Sequence, residues 1–130
     1  MAILNKEQIL SANDIETVTV DVPEWNDQLS QEQLDAGEVA QVTISRMSGS
    51  AKDKWEASVV GKNGGPNFDH MRAKLVASVV IDEKGNLLFD EKDVIKLGKK
   101  SSKALDRIIE ASEKLNRMSS KDYEELAKNS

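Results

Sequence analysis

The chain has 130 residues, of which 38% are hydrophobic and 32% charged, with a formal net charge of −5 and no cysteine. This composition predicts one domain, residues 1–130, with a modest core rather than a disordered chain. The lack of cysteine excludes disulfides and thiolate metal sites, and it suits a reducing, cytoplasmic setting. No run approaches the roughly 20 apolar residues of a membrane-spanning helix, and no secretory leader pattern is present, so we expect no membrane association.

Charge is distributed unevenly along the chain. Residues 7–45 contain nine acidic residues and no Lys or Arg, whereas seventeen of the eighteen bases lie from Arg46 onward. Because an acidic protein is repelled by phosphates, we expect no nucleic-acid partner. The local cluster of Lys96, Lys99, Lys100 and Lys103 could meet an acidic partner, but solvation is the simpler interpretation.

The first third of the chain predicts a short helix followed by two strands. Asn5 has the pattern of an N-cap, with Gln8 three residues later, and the helix should end near residue 13. Residues 15–22 and 39–47 alternate in hydrophobicity, which predicts two strands that pair antiparallel. The acidic, amide-rich segment 23–38 between them is expected to be a mobile loop.

The remaining chain is predominantly helical in pattern. Ser50 predicts the cap of a helix that carries Trp55, and a further helix is expected over residues 68–80. Residues 79–89 predict a short hairpin, after which Asp90 caps another helix. Ser101 opens the longest helix, and residues 119–130 predict a short terminal one. The longest helix carries a stripe at i, i+3, i+4 spacing, formed by Leu105, Ile108, Ile109, Ser112, Leu115 and Met118. The expected fold class is therefore α+β, with a small antiparallel β element near the N-terminus and a body of four to six helices.

Catalytic and metal-binding patterns are absent from the sequence. His70 beside Asp69 is the one histidine, and an exposed or capping position explains it better than a catalytic pair. No zinc motif is present, and the segment 61–65 fails the spacing of a phosphate-binding loop. We therefore expect no enzyme activity, no metal and no cofactor.

Protein contact is the function that the residues favour. Trp55 shares a helical face with Ala51 and Val59, which predicts a place in the core. Trp25 lies in a polar segment with no apolar stripe to join, and tryptophan is enriched at binding hot spots. Tyr123 and Leu126 stand nearly alone on the terminal helix. Trp25, Tyr123 and Leu126 are therefore the candidate partner-binding residues.

Several segments together carry a resemblance to a known family. They are DVPEW at 21–25, WEASVV at 55–60, the helical stretch that starts with MRAKLVASVV at residue 71, and the closing EELAKNS. With these segments the chain resembles the phage tail assembly chaperones of long-tailed bacteriophages and prophages, from Asp21 onward. Residues 26–37 depart from that pattern and look like an insertion.

The resemblance implies a chaperone of the host bacterial cytoplasm that is absent from the mature virion. Such a protein binds the tape measure protein, keeps it soluble and helps recruit tail tube subunits; a longer frameshifted form is common in the family. Short amphipathic helices could supply the grooves for a helical partner, and could also self-associate. The alternatives are a structural tail or head-tail joining protein, a small enzyme and a regulatory nucleic-acid binder.

Overall fold

The computed structural model describes residues 1–60, 65 and 69–116. Helices and a small sheet are both present in this part of the chain, which confirms the α+β class. The elements are α1 Lys6–Ser11, β1 Thr17–Asp21, a 3-10 helix Pro23–Gln28, α2 Gln31–Asp35, β2 Gln41–Ser45, α3 Gly49–Ser58, α4 Met71–Val79, β3 Val80–Ile81, a second 3-10 helix Glu91–Asp93, α5 Val94–Leu97 and α6 Ser102–Asn116.

The three strands form an antiparallel sheet in the order β1-β2-β3. β1 and β2 pair over their whole length, as predicted, although both strands are shorter than their alternating patterns. The register puts Val18, Ile44 and Val80 side by side. Since side chains alternate between the two faces of a strand, these three belong to one face, on which Ile44 and Val80 are buried.

The predicted hairpin near residues 79–89 is confirmed. Ile81 forms an isolated antiparallel bridge with Leu87. The Asp82 carboxylate accepts the backbone N–H groups of Lys84 at 2.8 Å and Asn86 at 3.0 Å. Gly85 completes the turn with a φ of 86°, a left-handed conformation that glycine adopts without strain.

The connection between β1 and β2 contains two short helices, where the sequence predicted a loop without elements. Pro23 occupies the first turn of the 3-10 helix, and Trp25 packs against the core. Ser30 and Gln33 form a capping box that starts α2. These local contacts order the backbone into helical turns, which the polar composition of the segment did not predict. The mobility of residues 23–38 stays a prediction.

Two of the N-cap residues predicted from the sequence are observed in the structure, and one is not. Asn5 forms the predicted capping box with Gln8, and Asp90 forms one with Asp93. The cap of α3 is Ser48, whose Oγ accepts the Ala51 N–H at 3.1 Å, so the prediction of Ser50 is wrong. Ser48 is the residue with the extended backbone that an N-cap requires, whereas residue 50 already lies inside the helix.

The core lies between α4, α6 and one face of the sheet. α6 contacts α4, β1 and β2. Its predicted stripe is confirmed at Leu105, Ile108 and Ser112, which are all buried. The buried hydrophobic residues are Val22, Ile44, Ala73, Val76, Ala77, Val79, Val80, Leu97, Ala104, Leu105 and Ile108. The core is small and almost entirely aliphatic.

Two sequence predictions for the helical body are wrong, and others lie outside the described residues. α4 begins at Met71 rather than residue 68, because His70 has the left-handed φ of 56° and ends the preceding turn. Trp55 is half-buried and is not among the core residues. Phe68 and the terminal helix predicted over 119–130 fall outside the described residues.

Candidate functional site

An apolar groove opens between α3, α4 and the segment 87–94, with a volume of about 360 Å³. We call it the Trp55 groove, after the largest side chain in its wall. Its lining residues are Ala51, Lys54, Trp55, Ala57, Ser58, Lys74, Ala77, Ser78, Leu87, Phe89, Asp90, Glu91 and Val94. Most of these side chains are apolar, and a groove of this kind suits an apolar ligand or a helix.

The helical wall of the Trp55 groove is formed by α3 lying beside α4. The Lys74 ammonium donates to the Ser58 carbonyl oxygen at 2.9 Å, and so links α4 to the C-terminal turn of α3. Ala51 and Val59, which share the helical face of Trp55, are also only half-buried, so the elements packed against this face cover it only in part. Trp55 therefore lines an open groove instead of entering the core.

The opposite wall follows directly after the hairpin. Phe89 packs against the core, whereas Leu87 remains 49% exposed at the edge. The Asp90 carboxylate accepts a hydrogen bond from the Lys92 backbone N–H at 2.8 Å. The backbone N–H of Asp90 in turn donates to the Asp93 carboxylate at 3.0 Å. This capping box positions the wall, because it starts the helical turn that leads into α5.

One polar atom in the groove wall lacks a partner. The Trp55 Nε1 is buried, and no hydrogen-bond acceptor lies within reach in the described part of the chain. A buried donor without an acceptor costs about 1–3 kcal/mol. The indole edge is therefore the least satisfied part of this wall.

The charges around the groove are segregated. Lys54 and Lys74 lie on its helical wall, and Asp90 and Glu91 lie on the opposite wall. An occupant with an acidic side and a basic side would match both walls, and such complementarity sets its orientation.

An N-terminal arm, residues 1–15, presents a second uncovered apolar surface. Every residue from 1 to 19 is exposed, and α1 contains no buried residue. Four large aliphatic side chains of the arm are 53–89% exposed, namely Ile3, Leu4, Ile9 and Leu10. The sequence predicted the helix correctly but gave no signal that the fold leaves it uncovered.

Trp25, the first candidate partner-binding residue, lies away from the Trp55 groove. It is half-buried against the core, in the 3-10 helix that follows β1. Its neighbour Glu24 accepts a hydrogen bond from Arg107 of α6 at 2.8 Å. The hydrogen bond from Arg107 lowers the pKa of Glu24, and the same bond raises the pKa of Arg107. This ion pair links the 3-10 helix that carries Trp25 to α6.

The remaining candidate residues either do not line the groove or lie outside the described residues. Tyr123 and Leu126 lie outside the described residues. His70 is exposed at the start of α4, which agrees with its interpretation as a capping-turn residue. Lys96, Lys99 and Lys100 are exposed around the junction of α5 and α6.

Chemically, the described residues offer surfaces for binding. Within residues 1–60, 65 and 69–116, no group of three His, Asp or Glu side chains is placed to hold a metal ion. Over the same residues, no helix combines the length and the apolar character needed to cross a membrane. The Trp55 groove and the N-terminal arm are two uncovered apolar surfaces in this part of the chain.

Comparison with known proteins relates this chain to phage tail assembly. The profile of the family described as phage tail assembly chaperone matches residues 5–129. Among solved structures, the tail assembly chaperone of bacteriophage HK97 is similar, with a TM-score of 0.55 and 18% sequence identity over 87% of this chain and 94% of that one. At this identity the likeness shows a shared fold. Among curated proteins, none matches the chain significantly.

Proposed function

We propose that this chain, which belongs to the family of phage tail assembly chaperones, binds the tape measure protein and keeps it soluble until the tail assembles. Family membership implies a non-catalytic role and contact with tail proteins. In the same proposal, the chain helps to recruit tail tube subunits. It acts in the host bacterial cytoplasm and is left out of the mature virion.

The observation that carries this proposal is the open, apolar Trp55 groove with oppositely charged walls. A helix of the tape measure protein with an apolar stripe could lie between α3 and the segment 87–94. Its acidic flank would face Lys54 and Lys74, and its basic flank Asp90 and Glu91.

Co-expression tests the proposal directly. The tagged chain and the tape measure protein of the same phage are produced together, and the soluble tape measure protein that co-purifies is measured. We expect Leu87→Asp to reduce the recovery strongly, because it puts a carboxylate at the apolar edge of the groove. Leu34→Asp is the matched control, since Leu34 is 41% exposed on α2 and does not line the groove.

The result separates the proposal from a structural role. If the parent chain and Leu87→Asp recover equal amounts of tape measure protein, the groove does not bind that protein. Detection of the chain in purified virions by mass spectrometry would favour a structural tail or head-tail joining protein instead.

Trp25, Tyr123 and Leu126 belong to the same proposal as further partner contacts. In the same co-purification, Tyr123→Ala with Leu126→Ala should lower the recovery of tape measure protein while the thermal midpoint of the chain is unchanged. Trp25→Ala is a poorer probe, because Trp25 also packs against the core. If the double variant recovers as much tape measure protein as the parent chain, Tyr123 and Leu126 are not part of the binding surface.

A further inference from the structure

We infer that the outer edge of β1 binds an extended, basic segment of another protein, which adds to the sheet as a further strand. β1 is the outer strand in the order β1-β2-β3, and in the described part of the chain no strand pairs with its other edge. Thr17 and Thr19 are exposed, and Val18 between them is 40% exposed. An extended segment pairs with such an edge through main-chain hydrogen bonds, and its side chains give specificity.

The backbone of β1 offers hydrogen-bonding groups along this edge. The C=O of Glu16 accepts a hydrogen bond from the Arg46 N–H at 2.7 Å, and the N–H of Val22 donates to the Ala40 C=O at 2.7 Å. Glu16 and Val22 therefore turn these groups toward β2. Backbone groups of successive residues alternate in direction along an antiparallel strand, so the odd-numbered residues turn theirs the other way. The residues whose backbone groups point to the open edge are Thr17, Thr19 and Asp21.

The edge is acidic at both ends. Glu16 directly precedes β1 and Asp21 ends it, and residues 7–45 contain no Lys or Arg. The Glu16 side chain is 67% exposed, with a long contact of 3.5 Å to Arg46. The Asp21 carboxylate accepts a hydrogen bond from the neutral side-chain amide of Gln41 at 2.6 Å. Charge complementarity therefore selects a basic occupant.

The strand geometry gives the occupant a sequence pattern. In an antiparallel added strand, the residues opposite Glu16 and Asp21 are five positions apart and lie on opposite faces of the sheet, and both should be basic. The residue opposite Val18 lies on the core face, where an apolar side chain covers Val18. A peptide with this pattern is Lys-Val-Thr-Val-Thr-Lys, whose first residue lies opposite Asp21.

A second copy of β1 does not fit the same edge. Two antiparallel copies of residues 16–21 would place Glu16 of each copy against Asp21 of the other, and like charges in opposite positions destabilise a strand pair. The occupant is therefore a segment of a different protein. Because β1 does not line the Trp55 groove, this contact is separate from the proposed binding of the tape measure protein.

Fluorescence anisotropy of the labelled peptide Lys-Val-Thr-Val-Thr-Lys, titrated with the full chain, tests the inference. We expect saturable binding below about 1 mM chain. The same peptide with Glu at both ends should bind about 10-fold more weakly. Thr19→Pro removes an N–H at the open edge and leaves the bonds to β2 in place, so it should weaken binding about 10-fold. Circular dichroism checks that this variant is folded.

N-methylated peptides separate strand addition from a general attraction between a basic peptide and an acidic chain. Methylation of the third and fifth peptide nitrogens removes the donors that face Thr19 and Thr17, and it should abolish binding. Methylation of the second and fourth nitrogens, which point away from β1, should leave the affinity within roughly twofold. Both peptides keep the same charge and use the unaltered chain.

Four results would overturn the inference. They are equal affinities of the two N-methylated peptides, equal affinities of the peptides with Lys and with Glu ends, unchanged binding by folded Thr19→Pro, and no saturable binding of the parent peptide.

Discussion

Replacement of Ile108 by Ala tests whether α6 organises the core. Ile108 is fully buried, and its helix contacts α4, β1 and β2. Substitutions of this kind cost 2–5 kcal/mol, depending on how far the surroundings collapse into the cavity. Because elements on several sides restrict that collapse, we expect a loss of about 3–4 kcal/mol. Against a typical total of 5–15 kcal/mol, such a loss is a large part of the stability.

Urea denaturation followed by circular dichroism measures the effect. The midpoint should fall by about 1–2 M at an unchanged slope, because the surface exposed on unfolding stays nearly the same. Ile95→Ala is the matched control: the same side chain is removed from α5, where it is 59% exposed, and the loss should stay below about 1 kcal/mol. Equal losses for the two variants would contradict a core built on α6.

Three further predictions concern local features. Ser48→Ala should cost about 1 kcal/mol of unfolding free energy through the lost cap of α3, whereas Ser50→Ala should change it by less than about 0.5 kcal/mol; urea denaturation of both compares them, and a larger loss for Ser50 would contradict the observed cap. Gly85→Ala should destabilise by about 1 kcal/mol in the same assay, because alanine is strained at positive φ although space for its Cβ is free; a neutral result would mean that the turn relaxes. Glu24 has a lowered folded pKa, so the stability from its bond to Arg107 is present above the unfolded pKa and is lost as pH falls through the folded value. Glu24→Gln should therefore reduce the loss of unfolding free energy as the pH falls. If that loss is unchanged in the variant, the pair of Glu24 and Arg107 is not its cause.

Local signals in the sequence were sufficient for several elements of the fold. The capping boxes at Asn5 and Asp90 depend on residues three positions apart, so the pattern of side chains already contains the contact. The alternation in residues 15–22 and 39–47 likewise predicted two antiparallel strands, because one buried face requires period two. The stripe on α6 identified its buried face for the same reason.

Other features depend on contacts between distant segments. Glu24 and Arg107 are 83 positions apart, and neither residue carries a local signal for the other. Trp55 looked like a core residue because its helical face is apolar, yet only the packing of α3 against α4 decides how much of the indole is covered. The choice of Ser48 over Ser50 as the cap also follows from where the chain leaves β2 and turns into the helix.

Short-range patterns in this chain specify where helices and strands form, because hydrogen bonds and side-chain periodicity act over a few residues. The open surfaces are different in kind. Whether an apolar side chain is covered depends on which other elements reach it, and that is settled by the assembled fold. The tertiary structure alone therefore reveals that the arm and the Trp55 groove stay uncovered.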